Sequence, residues 1–306
     1  MTSVLAAIVQ ALVAAALAPL LPGMIQTVKA RLQGRRGPSP LQPYRELRRL
    51  WGKSAVTPTG TTLVYGLAPP LVAATALVAL LLLPSAAGAS TAAGHDMLVL
   101  VGLLVLGRFA IALASWDTGS GFALMGAARD LTVAVSVEIL LLLCLLLAAV
   151  PAGSTDLNAM SAAAAGWDAW STPAHWCALG AFLLVVVAET GRQPIDNPDT
   201  HLELTMMHEG PLLEYAGRDL ALLQWTVGVR HWIVLVLAAE LYLPHGGSPI
   251  WRPLTTAAWI LLGCLGLAAI ETASAKARLL RVPGLLGFGS LIAGIGLVSA
   301  QLVQGR

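Results

Sequence analysis

Long apolar runs separated by shorter polar stretches set the pattern of this chain. Eight runs of roughly 20 residues are rich in Leu, Ala and Val and hold few charges, and about 20 apolar residues cross a bilayer as a helix. We therefore predict an all-α integral membrane protein with about eight transmembrane helices. The predicted spans are 3–22, 63–84, 96–115, 130–150, 173–190, 219–243, 254–274 and 284–303.

The basic residues fall between alternate pairs of runs. Fifteen of the 18 Lys and Arg residues lie in or at the edges of the first, third, fifth and seventh loops. Because basic loops stay on the cytoplasmic side, these loops are predicted to be cytoplasmic and both termini to be outside. No loop is long enough to fold alone, so 1–306 is predicted to be one polytopic membrane domain with two large cytoplasmic loops, 23–62 and 191–218.

The basic loop, 23–62, contains eight Lys and Arg residues. Apolar residues at helical spacing predict an amphipathic helix over 24–33 that lies on the membrane surface. A second short helix is predicted over 41–53, after the turn GRRGPSP. Two interpretations stay open: the loop fixes topology and touches anionic lipid, or it is a docking platform for cytoplasmic subunits.

The acidic loop, 191–218, and its edges concentrate the carboxylates. Acids, histidines and arginines here are Asp196, Asp199, Glu203, Glu209, Glu214, Asp219, His201, His208, Arg192 and Arg218. Prolines keep its first part extended, and 200–209 is predicted to be a short helix. A metal site of His201, Glu203 and His208 is disfavoured because the i, i+4 histidine pair is missing. Local acid–base pairing on a solvated face and a functional cluster both fit.

Four further carboxylates lie in or at the ends of apolar runs. Glu138 is the deepest, Glu189 ends the fifth run, Glu271 lies near the inner end of the seventh, and Glu240 lies near the outer end of the sixth. An ionised acid in the bilayer is costly, so such a residue is protonated, paired or exposed to water. By depth, Glu138 is the strongest candidate for handling protons.

Arg108, at the edge of the third run, has two predicted arrangements. It either reaches the cytoplasmic side or pairs with Asp117. The three cysteines are dispersed in separate apolar runs, whereas an iron–sulfur cluster needs four clustered thiolates. The chain is therefore predicted to hold no metal centre of its own.

Three strings of this sequence resemble a known family. They are RLQGRRGPSPLQPYRELRRL, AETGRQPIDNPDTHLELTMMHEGPLLEY and GAARDLTVAVSVE. They are similar to the two large loops and the fourth-span motif of the complex I subunit 1 family, which includes relatives in membrane-bound NiFe hydrogenases. LQPYRELRRLWGK and NPDTHLELTMMHE look more like the hydrogenase branch, as in formate hydrogenlyase. Gln224 departs from the family pattern, because relatives commonly carry an acid there.

The resemblance implies a membrane-anchor and proton-coupling subunit of a complex I-like NiFe hydrogenase in a bacterial or archaeal inner membrane. Its partners would be hydrogenase large and small subunits on the cytoplasmic side and antiporter-like membrane subunits, with the NiFe centre and iron–sulfur clusters in partners and no nucleic acid. Implied proton-path residues are Glu138, Glu189, Glu203, Glu209, Glu214 and Glu271. Implied docking residues are Arg31, Arg35, Arg36, Arg45, Arg129, Arg192, Asp196, His201 and His208.

Two alternatives remain. One is the quinone-chamber subunit of respiratory NADH:quinone oxidoreductase, for which quinone would bind against the same loops. The other is an unrelated stand-alone transporter, which would be active without partner proteins.

Overall fold

A computed structural model describes residues 2–84, 94–166, 170–196, 207–245, 251–275 and 277–304. Within these residues the regular structure is helical. The α-helices are α1 (Thr2–Leu17), α2 (Leu20–Leu32), α3 (Gln42–Trp51), α4 (Leu63–Leu82), α5 (Met97–Asp117), α6 (Gly121–Ala152), α7 (Leu157–Ala164), α8 (Pro173–Glu189), α9 (Gly217–Tyr242), α10 (Trp251–Ala273) and α11 (Val282–Gln304).

In the described part of the chain, seven helical segments are long and apolar enough to cross a membrane. They are α1 with α2, then α4, α5, α6, α9, α10 and α11 with the turn before it. The apolar helix α8, of 17 residues, occupies the place of the fifth predicted span. The prediction of an all-α integral membrane protein is confirmed. The side on which the termini lie stays a prediction.

The first span is broken at Pro19, between α1 and α2. Proline has no N–H to donate to the carbonyl four residues earlier, which is that of Ala15. The indole Nε1–H of Trp225 donates to the Ala15 carbonyl instead, at 3.0 Å. The Tyr44 hydroxyl donates to the Ala16 carbonyl at 2.6 Å. Side chains from α9 and α3 therefore satisfy the backbone at the break.

Helix α2 corrects the prediction of a surface helix over 24–33. It continues the first span and packs against α9 and α10. Ile25, Lys29 and Ala30 are buried, and only its last residues, from Arg31, are exposed. The sequence pattern is misleading here because Lys29 has a partner inside the bundle. The second predicted helix of the basic loop is confirmed as α3.

Helix α9 is the central helix of the bundle. Every residue from 233 to 242 is buried, and α9 packs against α2, α3, α4, α8 and α10. The helix pairs α4–α5 and α6–α8, the latter joined by α11, lie around it. Because α9 contacts the helices of both groups, it positions the charged side chains described below.

The acidic loop returns to the bundle through close backbone contacts. Helix α6 begins at Gly121, nine residues earlier than predicted, and Gly126 in this added part meets Gly210 of the loop. A Cβ added to Gly126 would lie 2.7 Å from the Gly210 Cα. Tyr215 then stacks on Tyr65 of α4, with ring centroids 4.4 Å apart. These contacts hold the described end of the loop against α4 and α6.

Candidate functional site

Glu189, at the end of α8, joins two arginines inside the bundle. Its Oε1 accepts from Arg108 Nη2 at 2.8 Å, and its Oε2 accepts from Arg230 Nη2 at 2.9 Å. Arg108 Nη1 also lies 3.5 Å from Glu138 Oε1. The side chains of Arg108 and Glu189 are only 6% and 1% exposed. Glu138, Arg108, Glu189 and Arg230 thus form a buried chain of ion pairs, here called the arginine–glutamate chain.

The partners of Arg108 differ from both predicted arrangements. Arg108 lies within α5 and is 7% exposed, so it neither reaches the surface nor pairs with Asp117. Asp117 instead caps the start of α4, where its Oδ2 accepts from the backbone N–H groups of Thr62 and Tyr65. The physical reason is that a buried guanidinium needs a buried carboxylate, which α8 provides.

A second buried ion-pair group surrounds Glu271 of α10. Lys29 Nζ lies 2.7 Å from its Oε1, and Arg192 Nη1 lies 3.1 Å from its Oε2. The Glu271 side chain has no exposed surface. This Glu271 group ties α2 and the first residues of the acidic loop to α10.

His208 bridges two carboxylates where the acidic loop meets α6. Its Nδ1 lies 3.0 Å from Asp196 Oδ2, and its Nε2 lies 3.7 Å from Asp130 Oδ1. Burial alone would lower the pKa of His208, but the hydrogen bond to Asp196 and the charges of Asp130 and Asp196 outweigh it, so the pKa is raised. When it is protonated, the ring holds the loop to α6 through both carboxylates.

These groups share the wall of one cavity of about 620 Å³. The cavity lies between the break at Pro19, helices α3, α5 and α9, and the acidic loop. Its charged and titratable wall residues are Glu46, Arg108, Asp130, Glu189, Arg192, Asp196, His208, Glu209, Tyr215, Arg230 and His231. A cavity lined in this way can hold water or a polar head group beside the buried ion pairs.

The remaining predicted residues lie in different environments. Arg31, Arg35, Arg36 and Arg45 are exposed on the basic loop and α3. Arg129, Glu209 and Glu214 are partly buried. Arg192 and Asp196 are buried, so neither offers its side chain to a partner at the surface. His201 and Glu203 lie outside the described residues.

Glu240 belongs to a separate polar cluster at the other end of α9. Its carboxylate accepts from Arg252 Nη2 at 2.7 Å, from Ser161 Oγ at 2.8 Å and from Thr256 Oγ1 at 2.5 Å. His245 Nε2 lies 3.2 Å from Ser161 Oγ. This cluster ties α7, α9 and α10 together, away from the cavity.

The sequence pattern does not single out Lys29, Asp130, Arg230 or His231 as site residues. Lys29 falls among the surface charges of the basic loop, and Arg230 lies inside or near a span. A signal for Arg230 is present, because a basic residue inside an apolar run needs a buried partner. Nothing in the chain order indicates which carboxylate that partner is.

The arrangement can respond electrostatically to a charge that enters the cavity. Within the arginine–glutamate chain, Glu189 is held by two arginines, whereas Glu138 lies 3.5 Å from its partner and its side chain is 20% exposed. A change of charge near one buried group alters the protonation of its neighbours. Of the two carboxylates in the arginine–glutamate chain, Glu138 is therefore held less tightly. It is the one better placed to change its protonation when a charge enters the cavity.

The fold and this site together define a multi-pass helical membrane protein with buried ion pairs beside a cavity that has both apolar and charged wall residues. Comparisons with known proteins specify the class. A family profile described as NADH dehydrogenase matches residues 4–285. The chain belongs to this family.

The chain is similar to two proteins of Escherichia coli. It is 38% identical to hydrogenase-4 component C over 245 residues, which is 79% of this chain and 76% of that protein. It is 32% identical to formate hydrogenlyase subunit 4 over 309 residues, which is 97% of this chain and 100% of that protein. These matches confirm the resemblance to the family and to its hydrogenase branch.

A more distant similarity reaches the respiratory branch. The chain is 30% identical to a subunit of the NADH-quinone oxidoreductase of Rhodopseudomonas palustris over 253 residues, or 76% of this chain and 77% of that protein. Among solved structures, the chain is similar to a chain of the archaeal membrane-bound sulfane sulfur reductase, with a TM-score of 0.80 and 20% sequence identity. The match covers 98% of this chain and 100% of that chain. That structure has the same fold. The protein is thus a multi-pass protein of the prokaryotic plasma membrane.

Proposed function

We propose that the chain is the membrane-anchor and proton-coupling subunit of a complex I-like, energy-converting NiFe hydrogenase of the formate hydrogenlyase type. The similarity to hydrogenase-4 component C and to formate hydrogenlyase subunit 4 supports the hydrogenase assignment. The observation that carries the coupling role is the arginine–glutamate chain, which begins at the cavity wall and ends at Glu138 in the middle of α6.

The exposed arginines of the basic loop form the docking surface of this proposal. Arg31, Arg35, Arg36 and Arg45 are exposed. Residues of α3, the helix that carries Arg45, line the same cavity as residues of the acidic loop. Hydrogenase large and small subunits, which would carry the NiFe centre and the iron–sulfur clusters, dock there. Exposed arginine is well suited to such contacts because it makes paired hydrogen bonds to carboxylates.

Coupling follows from electrostatics. Proton consumption in the docked subunits changes the charge near the cavity, and the ion pairs around Glu189 transmit this change to Glu138. Moving one charge against 100 mV costs about 2.3 kcal/mol, and a pKa difference of about two units supplies this free energy. Antiporter-like membrane subunits would take up the proton from Glu138 and its neighbours.

Purification in mild detergent tests this assignment. The tagged chain is isolated, its co-purifying subunits are identified by mass spectrometry, and hydrogen evolution is assayed with a reduced viologen. We expect a NiFe subunit and viologen-dependent hydrogen evolution. Isolation of an active chain without partners in several detergents would contradict the proposal and favour a stand-alone transporter.

A second function is favoured by the cavity. Its volume of about 620 Å³ fits a quinone head group, and one relative is a subunit of an NADH-quinone oxidoreductase. Under this alternative the chain is the quinone-chamber subunit of respiratory NADH:quinone oxidoreductase, with quinone as the substrate. Bound quinone, a flavin-containing partner and NADH oxidation in the same preparation would establish it.

A further inference from the structure

Two buried polar atoms on the cavity wall have no protein partner among the described residues. They are Nε of Arg192 and Nε2 of His231. The two residues are 4% and 2% exposed, and both line the cavity. A buried polar atom without a hydrogen bond costs about 1–3 kcal/mol. We therefore expect each atom to bond to a molecule inside the cavity.

A hydrogen bond to the backbone determines the state of the His231 ring. Its Nδ1 lies 2.7 Å from the carbonyl oxygen of Val227, one turn earlier in α9. A carbonyl oxygen only accepts, so Nδ1 carries the hydrogen. In the neutral ring Nε2 is then an acceptor with a free lone pair.

The Arg192 atom complements this acceptor. Its Nε–H is a donor, whereas its Nη1 is already used by Glu271. Among the buried wall atoms that the structure describes, Arg192 Nε–H is thus a free donor and His231 Nε2 a free acceptor. Water matches this pair because each molecule both donates and accepts.

Resting on the proposed function, we propose that His231 is a proton-exchanging residue that takes protons from cavity water bound between its Nε2 and Arg192 Nε. A proton that arrives through this water adds to the Nε2 lone pair and forms an imidazolium. The water molecule keeps its two hydrogens, and the bond from Nδ1 to Val227 is unchanged. The proton later leaves from Nε2 to the same water, and no electrons are transferred.

Charged groups from several elements face His231. Arg192 from the segment after α8, His208 from the acidic loop and Arg230 from α9 itself all place positive charge near the ring. Helices α2 and α10 contribute Lys29 and Glu271, which are paired. The proton then leaves through the same water toward carboxylates of the same cavity wall, which include Glu189 and Asp196.

The test uses the whole complex in proteoliposomes, with hydrogen evolution and proton movement measured together. His231→Gln keeps an acceptor but cannot carry a proton. We expect it to lower proton movement per hydrogen formed by about 100-fold, the size expected for loss of a positioned proton acceptor, while viologen-dependent hydrogen evolution is retained. The control is the same substitution at another histidine, His175→Gln. The His175 ring forms a hydrogen bond with the carbonyl oxygen of Tyr242 and does not line the cavity. This variant should match the wild type.

The outcomes separate this inference from the proposed function. Hydrogen evolution by the wild type without proton movement would refute the coupling function and the role of His231 with it. If the wild type moves protons as it forms hydrogen and the His231→Gln variant moves as many protons per hydrogen, only the role of His231 would be refuted.

A structure of the wild-type complex gives a second test if the variant fails to assemble. We expect density for water within about 3.2 Å of both His231 Nε2 and Arg192 Nε. Density for a protein side chain or for an organic head group at Nε2 would overturn the inference.

Discussion

At the scale of single residues, Glu189 is the residue on which the site depends. One carboxylate forms ion pairs with both Arg108 of α5 and Arg230 of α9, and a buried charge that loses its partner is strongly destabilising. The sequence predicts Glu189 as a proton station by its position at the end of a run. It cannot show that the residue is a junction of three helices, because that depends on packing between segments distant in the chain.

Substituting Glu189 should test this junction. Glu189→Gln removes the carboxylate that pairs with buried Arg230 and leaves Arg108 with Glu138 alone, and we expect the free energy of unfolding to fall by about 3–5 kcal/mol. Unfolding in detergent, followed by circular dichroism, measures the loss. The matched control is Glu46→Gln, which breaks the exposed pair with Arg49 and should cost less than about 1 kcal/mol. Equal effects of the two variants would refute a special role of Glu189.

His208 gives a pH-dependent prediction at the same scale. Its pKa in the folded protein is raised above the ordinary 6.5, so the protonated form is the one that stabilises the fold. This stabilisation is complete below about pH 6.5 and is lost as the pH rises through the raised pKa.

Thermal unfolding at a series of pH values checks the prediction for His208. The wild type should lose stability on the alkaline side of about pH 6.5, and His208→Gln should remove that part of the pH dependence. A variant with the same pH profile as the wild type would show that the bridge between Asp196 and Asp130 contributes nothing.

At the scale of helices, backbone features decide how the loops meet the bundle. Pro19 frees a carbonyl that Trp225 satisfies, and Gly126 allows Gly210 to approach α6. The apolar runs predict the order of the spans well, because hydrophobicity alone decides which segments enter a bilayer. The same pattern fails for α2, where Lys29 is buried, and for the start of α6, where polar and small residues pack on the acidic loop.

Adding a side chain at the close contact between α6 and the acidic loop should displace the loop. Gly126→Ala places a Cβ 2.7 Å from Gly210 backbone atoms, which cannot move aside without shifting the loop. We expect a loss of about 1–3 kcal/mol in stability and faster proteolysis of the loop. Gly102→Ala in α5, where a Cβ meets no atom within 4 Å, is the control and should be neutral or slightly stabilising. Identical digestion of both variants would contradict the packing described here.

At the scale of the whole molecule, the buried charged side chains described above form clusters in two separate regions. The ion-pair groups and the cavity lie beside the acidic loop and α3, whereas the Glu240 cluster lies at the other end of α9. The motifs of the two large loops are enough to predict the family, which the comparisons confirm. They are not enough to predict the cavity, since its walls come from helices and loops that only the fold brings together.

The coupling role of Glu138 is the central claim at this scale. The most direct test is the simultaneous measurement of hydrogen evolution and proton movement by the complete complex in proteoliposomes, with wild type compared with Glu138→Gln. We expect the wild type to move protons as it forms hydrogen, and the variant to form hydrogen while proton movement falls by about 100-fold. Undiminished proton movement in a fully assembled Glu138→Gln complex would contradict the claim.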